Sequence, residues 1–299
     1  MATETFSCAV ETLKLNHPLT GTVGTFSYLF LIEYVAPFPA KAIGESTLPP
    51  ELKAHIKVGQ DKLKEQGTPA RTWLIRNQQT NEGDELRLYV IRMGIDKPDV
   101  HYLTFEKYEQ ITYSPFDKLA KKPGGTKVEK PIYLVCTNGN RDACCSKFGF
   151  PIYKKLYQEI PNPDEHVWQC SHVGGHRFAA NMVTLPYGHY YGQVEEKDLS
   201  SIDSHSKKHE VYLNKYRGTA PYKPYQQVAL AHIMKETGDL QPSSFSIVSE
   251  AAYDSTVELN FLHTETFSSH FVAVQSKEVP IIKGCAAPEP TAGTIWEVI

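Results

Sequence analysis

The chain has 299 residues, 41% of them hydrophobic, which is enough for one large domain or two to three smaller ones with a sizeable core. Its 31 basic and 34 acidic residues give a net charge of −3 without a long basic run, so nucleic acid is not expected as a partner. The longest apolar stretch is shorter than the roughly 20 residues of a membrane span, and no secretory signal is apparent, so a cytoplasmic protein that does not enter membranes is expected.

The first part of the chain predicts a β-α-β-β order. Aromatic and β-branched runs, apolar periodicity and turn residues indicate a strand at residues 24–36, a helix at 50–65 and strands at 71–76 and 85–93, and a further strand is expected at 100–105. Gly67 ends the helix, and a polar turn is expected at residues 81–84. We therefore assign residues 1–120 to an N-terminal half that packs with the next unit, and the Lys/Gly-rich residues 121–130 to a linker.

The second unit opens with a short apolar run, residues 131–136, of the kind that forms a buried strand in an α/β sheet. Cys136 is the last residue of this strand. Asp142 is expected to cap a helix over residues 143–159, which places Cys145 in the first helical turn. The positive end of the helix favours a thiolate at that position.

A strand at residues 167–171, a hairpin at 182–194 and a helix from Glu195 follow. The resulting β-α-β-β-β-α order over residues 131–220 suits a thioredoxin-like α/β fold with its functional groups at a strand end.

The remainder, residues 221–299, reads as a C-terminal α+β appendage. It predicts a helix over residues 224–236, several strands between 244 and 298, and a surface loop at 287–293.

Two pairs of potential metal ligands stand out in this second unit: Cys136 and Cys145, then His172 and His176. Thiolate sulfur together with imidazole nitrogen narrows the bound species to zinc, copper or an iron-sulfur cluster. Gly174 and Gly175 lie between the histidines and disfavour a helix, so a loop is expected in which both rings turn inward.

Neighbouring residues carry two interpretations each. Arg141 and Arg177 either hydrogen-bond to the bound group or are ordinary surface arginines. Asp142 is expected to act as a helix cap rather than a proton carrier. Cys144 is either a buried thiol without function or half of a redox pair with Cys145.

The strings CTNGNRDACC, SHVGGHRFAAN, LPYGHYYG and YRG resemble the sucrase/ferredoxin-like family of thioredoxin-fold ferredoxins, over roughly residues 19–227. The resemblance implies a [2Fe-2S] cluster on Cys136, Cys145, His172 and His176. It implies an electron carrier that works with a reductase or acceptor protein and has no substrate chemistry of its own. The residues expected to surround the ligands are Arg141, Asp142, Cys144, Gly174, Gly175 and Arg177.

Two other functions use the same residues. A zinc-binding structural or interaction module needs the same ligand types, and a thioredoxin-like thiol oxidoreductase would use Cys144 and Cys145 without a metal. Cys8 and Cys285 are expected to be reduced thiols without a role.

Overall fold

The computed structural model describes residues 6–81, 83, 85–94 and 97–299, so the turn predicted at 81–84 lies partly outside the described residues. Its α-helices are α1 (Cys8–Lys14), α2 (Ala42–Glu45), α3 (Pro50–Glu65), α4 (Phe116–Lys121), α5 (Ala143–Glu159), α6 (Pro163–His166), α7 (Leu199–Lys207) and α8 (Pro224–Thr237). Short 3₁₀ helices cover Tyr108–Tyr113, His176–Phe178, Glu196–Asp198, Leu213–Lys215 and Pro242–Ser244.

The strands form two sheets. The first part of the chain contributes β1 (Tyr28–Glu33), β2 (Ala70–Arg76), β3 (Leu86–Arg92), β4 (Asp99–Phe105) and β5 (Thr126–Lys127). The second unit contributes β6 (Ile132–Cys136), β7 (Val167–Cys170), β8 (Met182–Leu185), β9 (His189–Tyr191) and β10 (Tyr216–Thr219). The last part forms β11 (Phe245–Tyr253), β12 (Thr256–His263), β13 (Ser269–Ile281) and β14 (Thr291–Val298).

One sheet contains β1 to β10, in the order β10-β9-β8-β6-β7-β2-β1-β3-β4-β5. Strands β1 and β2 pair in parallel, as do β6 and β7. The two units meet where β2 pairs antiparallel with β7, through Ile75 opposite Cys170 and Arg76 opposite Gln169. The N-terminal half and the second unit therefore share a continuous sheet, and the end of β7 lies near its middle.

Helices pack on the face of this sheet that carries Phe30 of β1 and Val135 of β6. Over the N-terminal half, α3 and α4 pack on β1 to β3, and the rings of Phe30 and Phe116 stack with centroids 4.2 Å apart. The smaller sheet, β11 to β14, packs through Leu259 and Val274 into the same core as α8, which contributes Ile233. Apolar burial of about 25 cal/mol per Å² holds these layers together.

The mixed α/β architecture is confirmed, and α3 and α5 have the predicted bounds. Two local predictions were correct only in part. The segment 287–293 is not wholly a loop, because Thr291 to Gly293 already pair with β13. The segment 121–130 is not a free linker, because Thr126 and Lys127 pair with β4 at the edge of the large sheet.

The imidazole of His189 in β9 is buried and stacks on the Tyr187 ring, with ring centroids 5.5 Å apart. Its Nδ1 lies 2.8 Å from the Thr219 hydroxyl, and its Nε2 is buried with no hydrogen-bond partner among the described residues. Burial, with a smaller effect from the charge of His209, lowers the pKa of His189 to about 3. The folded protein therefore resists protonation at this ring, whereas an unfolded chain accepts a proton at a pKa of about 6.5.

We expect the free energy of unfolding to fall as the pH drops from about 6.5 towards about 3, because the unfolded state then binds the additional proton. At pH 4.5 this one ring should account for a loss on the order of 2–3 kcal/mol. His189→Phe keeps an aromatic ring but removes the titration, so its stability should depend less on pH. Urea unfolding at pH 7 and pH 4.5 measures this, with His232→Phe on α8 as the control. Equal losses in wild type and His189→Phe would contradict the prediction.

Candidate metal centre

Cys136 is held in place by strand pairing at the centre of the large sheet. It is the last residue of β6, is 2% exposed, and donates its backbone N–H to the Asn181 carbonyl at 3.0 Å. In the parallel register of β6 and β7, Cys170 lies directly beside it. The sheet therefore places two thiols next to each other at one strand end.

Cys145 reaches the same place from α5. The Asp142 side chain caps this helix by accepting the Cys144 N–H at 2.9 Å, as predicted, and Cys145 lies in the first turn with 1% exposure. One turn later Gly149 packs directly on β6, since a Cβ there would clash with the Cys136 carbonyl. This close contact between helix and strand brings the two thiols together.

The thiols of Cys136, Cys145 and Cys170 lie next to one another at the end of β6. The pKa of the Cys136 thiol lies well below its usual value because the Cys145 and Cys170 thiols donate hydrogen bonds to it. The pKa of Cys145 is raised by its hydrogen bond to Cys136 and by burial, and burial followed by the same hydrogen bond raises that of Cys170. Of the three thiols, Cys136 is the one whose pKa is lowered. Cys170 carries no motif signal in the sequence, because its position depends on the pairing of β6 with β7.

The two histidines enter from the loop after β7. Gly174 and Gly175 have φ of +87° and +73°, a left-handed conformation that favours glycine, and the segment is the loop that was predicted. The His172 and His176 rings lie with centroids 5.2 Å apart, and His176 Nδ1 lies 3.3 Å from Cys145 Sγ. Both histidine rings are half-buried, whereas the thiols are fully buried.

Both imidazoles are neutral at physiological pH. Burial lowers the pKa of His172 to about 4, against the opposing effect of the Cys136 negative charge, and burial also lowers the pKa of His176. Nδ1 of His172 is buried with no hydrogen-bond partner among the described residues. Neutral imidazole is the form that binds a metal, so both rings are in the protonation state that a metal ligand requires.

Arg217 stabilises the loop that carries His172 and His176 by hydrogen bonds. This buried residue of β10 donates to the Gly174 carbonyl at 2.9 Å and to Asn181 Oδ1 at 2.7 Å. Asn181 in turn donates to the Gly175 carbonyl at 2.9 Å. Arg217 belongs to the YRG string, which is the sequence signal that could have identified it.

The remaining predicted residues lie around this centre with different roles. Arg141 donates to the Ala40 carbonyl at 3.4 Å, and its charge contributes to the lowered pKa of both histidines. Arg177 lies over the Phe178 ring, 4.6 Å from its centroid. Cys144 points away from Cys145, towards Cys8 and Cys285, at Sγ–Sγ distances of 3.6 and 3.3 Å.

A cavity of about 470 Å³ adjoins His172. No aspartate or glutamate occurs among the described residues that line it, and its basic side chains are Lys53, Lys57, Arg71, Arg141 and Arg217. The half-buried histidine face of the centre therefore opens on a positively charged surface.

Comparison with known proteins points to the same region of the chain. The family described as Sucrase/ferredoxin-like matches residues 19–218. Altered inheritance of mitochondria protein 32 from Meyerozyma guilliermondii is 29% identical over 152 residues, which cover 46% of this chain and 51% of that protein. The chain thus spans about half the length of that relative.

A thioredoxin-like [2Fe-2S] ferredoxin from Aquifex aeolicus is similar to part of the structure, at 15% sequence identity and a TM-score of 0.28. The match covers 32% of this chain and 97% of that one. Within the described part of the chain, no helix combines the length and apolar character needed to cross a membrane.

Proposed function

The chain belongs to the sucrase/ferredoxin-like family, and we propose that it is an electron-transfer protein with a thioredoxin-like core that carries one [2Fe-2S] cluster. The ligands we propose are Cys136, Cys145, His172 and His176. The observation that supports this most directly is their convergence, since Cys145 Sγ lies 3.3 Å from His176 Nδ1 and its thiol donates to Cys136.

The residues fit this cofactor by their chemistry. Two buried cysteines supply thiolate ligands, and two histidines of lowered pKa supply neutral nitrogen ligands. The buried Nδ1 of His172, which has no hydrogen-bond partner among the described residues, would be satisfied by a bond to the metal centre. When bound, such a cluster accepts and releases one electron. The two cysteines that would hold it are buried, and the two histidines that would hold it are half-buried.

This arrangement supports electron entry at the histidines. Because the adjoining cavity is lined by lysine and arginine, it would attract a partner with an acidic surface, a reductase or an acceptor. We expect Lys53→Glu together with Lys57→Glu to slow reoxidation of the reduced protein by ferricyanide, an anionic probe. Stopped-flow rates at low and high salt measure this, since salt should weaken the attraction. Glu258→Lys on β12 is the control for a charge change away from the cavity. Rates that respond neither to salt nor to the two lysine substitutions would contradict the docking surface.

A spectrum with metal analysis tests the cofactor. Protein purified without oxygen should show visible absorption and two irons with two acid-labile sulfides per chain. The variants Cys136→Ser, His172→Ala and His176→Ala should each lose most of the visible absorption and most of the iron and sulfide. The control His232→Ala should keep the absorption, the iron and the sulfide. Bound zinc at these four residues without iron would instead favour the structural module. Disulfide-exchange activity that survives loss of both histidines would favour the thiol oxidoreductase.

None of the six cysteines is paired in a disulfide. Cysteines without disulfides are typical of reducing compartments, and this supports our proposal that the protein works in the cytoplasm. Fractionation of cells followed by immunoblotting tests it, and a signal confined to another compartment would contradict it.

A further inference from the structure

We propose that Cys8, Asp142, Cys144 and Cys285 form a second metal site, separate from the cluster ligands, which binds one Zn²⁺. The sulfur and carboxylate atoms of these residues all lie within 4.8 Å of one another. The site would join the N-terminal helix α1, the start of α5, and the connection between β13 and β14.

The distances between the four side chains match a tetrahedral zinc site. Cys144 Sγ lies 3.6 Å from Cys8 Sγ and 3.3 Å from Cys285 Sγ. Cys8 Sγ lies 3.6 and 3.7 Å from the two carboxylate oxygens of Asp142. Four ligands at the Zn–S bond length of about 2.3 Å in tetrahedral geometry place their sulfurs about 3.8 Å apart. For these three pairs the ligand atoms need to move by only fractions of an ångström, and the remaining pairs lie within 4.8 Å of one another.

The proposed zinc ligands come from distant parts of the chain. Cys144 is 136 residues from Cys8 and 141 residues from Cys285. The surrounding apolar cluster is small, with Ala9, Ala179 and Ile282 as its other buried members. Such a small cluster gives little hydrophobic stabilisation to hold the two ends of the chain here, and a structural metal is a common substitute for a core of this size.

Neighbouring groups orient the ligands. The Asp142 carboxylate accepts the Cys144 N–H at 2.9 Å and the Cys285 N–H at 2.8 Å. The Cys8 N–H donates to Cys285 Sγ at 3.5 Å, and the Ser7 hydroxyl lies 3.2 Å from Cys144 Sγ. Such hydrogen bonds hold zinc ligands in position and stabilise thiolate charge.

Charge and accessibility also suit zinc. Three thiolates and a carboxylate around Zn²⁺ sum to −2, and the Arg177 guanidinium interacts electrostatically with Cys8. A sulfur-rich ligand set excludes magnesium and calcium, which prefer oxygen. Cys8, Asp142 and Cys144 are buried, whereas Cys285 is only half-buried and leaves a route for the ion.

The second site adjoins the proposed cluster site. Gly284 passes between them, because a Cβ there would lie 2.9 Å from Asp142 Oδ2 and 3.6 Å from His176 Cδ2. By holding Cys285 the zinc would keep the backbone of Gly284 packed over His176. Loss of zinc should therefore loosen the packing of Gly284 over His176, while His176 itself stays in place.

Metal analysis of the full chain distinguishes the two sites. Wild-type protein should contain one zinc per chain in addition to iron. Cys8→Ser and Cys285→Ser should each reduce zinc at least tenfold while retaining visible absorption and iron, whereas Cys136→Ser should lose iron and retain zinc. Cys170→Ser is the control for a buried cysteine outside the set and should retain zinc. Iron loss and zinc loss are measured separately, so failure of one proposal is distinguishable from failure of the other.

Cobalt gives a second readout. Zinc-free Cys136→Ser protein titrated with Co²⁺ should develop the strong visible bands of tetrahedral cobalt-thiolate coordination, and additional Cys285→Ser should abolish them. Cys285 is half-buried, so this variant should fold even if Cys8→Ser does not, and circular dichroism checks both. Wild-type protein that neither contains zinc nor binds Zn²⁺ with micromolar affinity would overturn the site. So would unchanged zinc in both serine variants, or a Cys144–Cys285 disulfide detected by mass spectrometry of the purified protein.

Discussion

Replacing both His172 and His176 by cysteine is expected to lower the midpoint potential of the proposed cluster by several hundred millivolts. With two thiolates and two neutral imidazoles the oxidised centre has a net charge of zero, whereas four thiolates give −2. The more negative centre accepts an electron less readily. Imidazole-ligated centres of the Rieske type have potentials of about −150 to +300 mV, and plant-type ferredoxins about −400 mV. Spectroelectrochemical titration measures the difference.

The same pair of proteins should differ in pH dependence. A histidine bound to iron through one nitrogen keeps an outer nitrogen that exchanges a proton, and reduction favours the protonated form. The wild-type potential should therefore fall as pH rises, and the double cysteine variant should show little slope. A wild-type potential that stays constant between about pH 6 and 10 would contradict imidazole ligation. His232→Cys, which adds a cysteine away from the centre, should leave both properties unchanged.

Gly149→Ala is expected to separate the two cysteine ligands and to destabilise the protein by about 3 kcal/mol or more. The new methyl group would overlap the backbone carbonyl of Cys136, and backbone at the centre of a sheet cannot move aside as a flexible side chain can. Helix α5 must then shift away from β6 and carry Cys145 with it. Iron content should fall together with the free energy of unfolding in urea.

Gly44→Ala in α2 provides the matched control, because a Cβ there has no neighbour within 4 Å. Alanine is favoured over glycine in helices by roughly 1 kcal/mol, so this variant should be as stable as wild type or slightly more so. If Gly149→Ala kept wild-type stability and iron, the close packing of α5 on β6 would not be what positions Cys145.

Features that depend on local sequence were predictable from the residues alone. Helix α5 begins where Asp142 can cap it and ends as predicted, and α3 has the predicted bounds. The His172 loop follows from two adjacent glycines, which favour a left-handed backbone. Caps, turns and periodicity involve residues within a few positions of each other, so their signal is present in a short window.

Only the tertiary structure decided which distant residues meet. The junction of β2 with β7, the thiol of Cys170 beside Cys136, and the support of the histidine loop by Arg217 each join residues far apart in the chain. Cys8 and Cys285 are single cysteines in sequence, without the close spacing that marks a metal motif. They become a candidate site because the two ends of the chain pack against the start of α5, and such contacts arise from the packing of the whole protein.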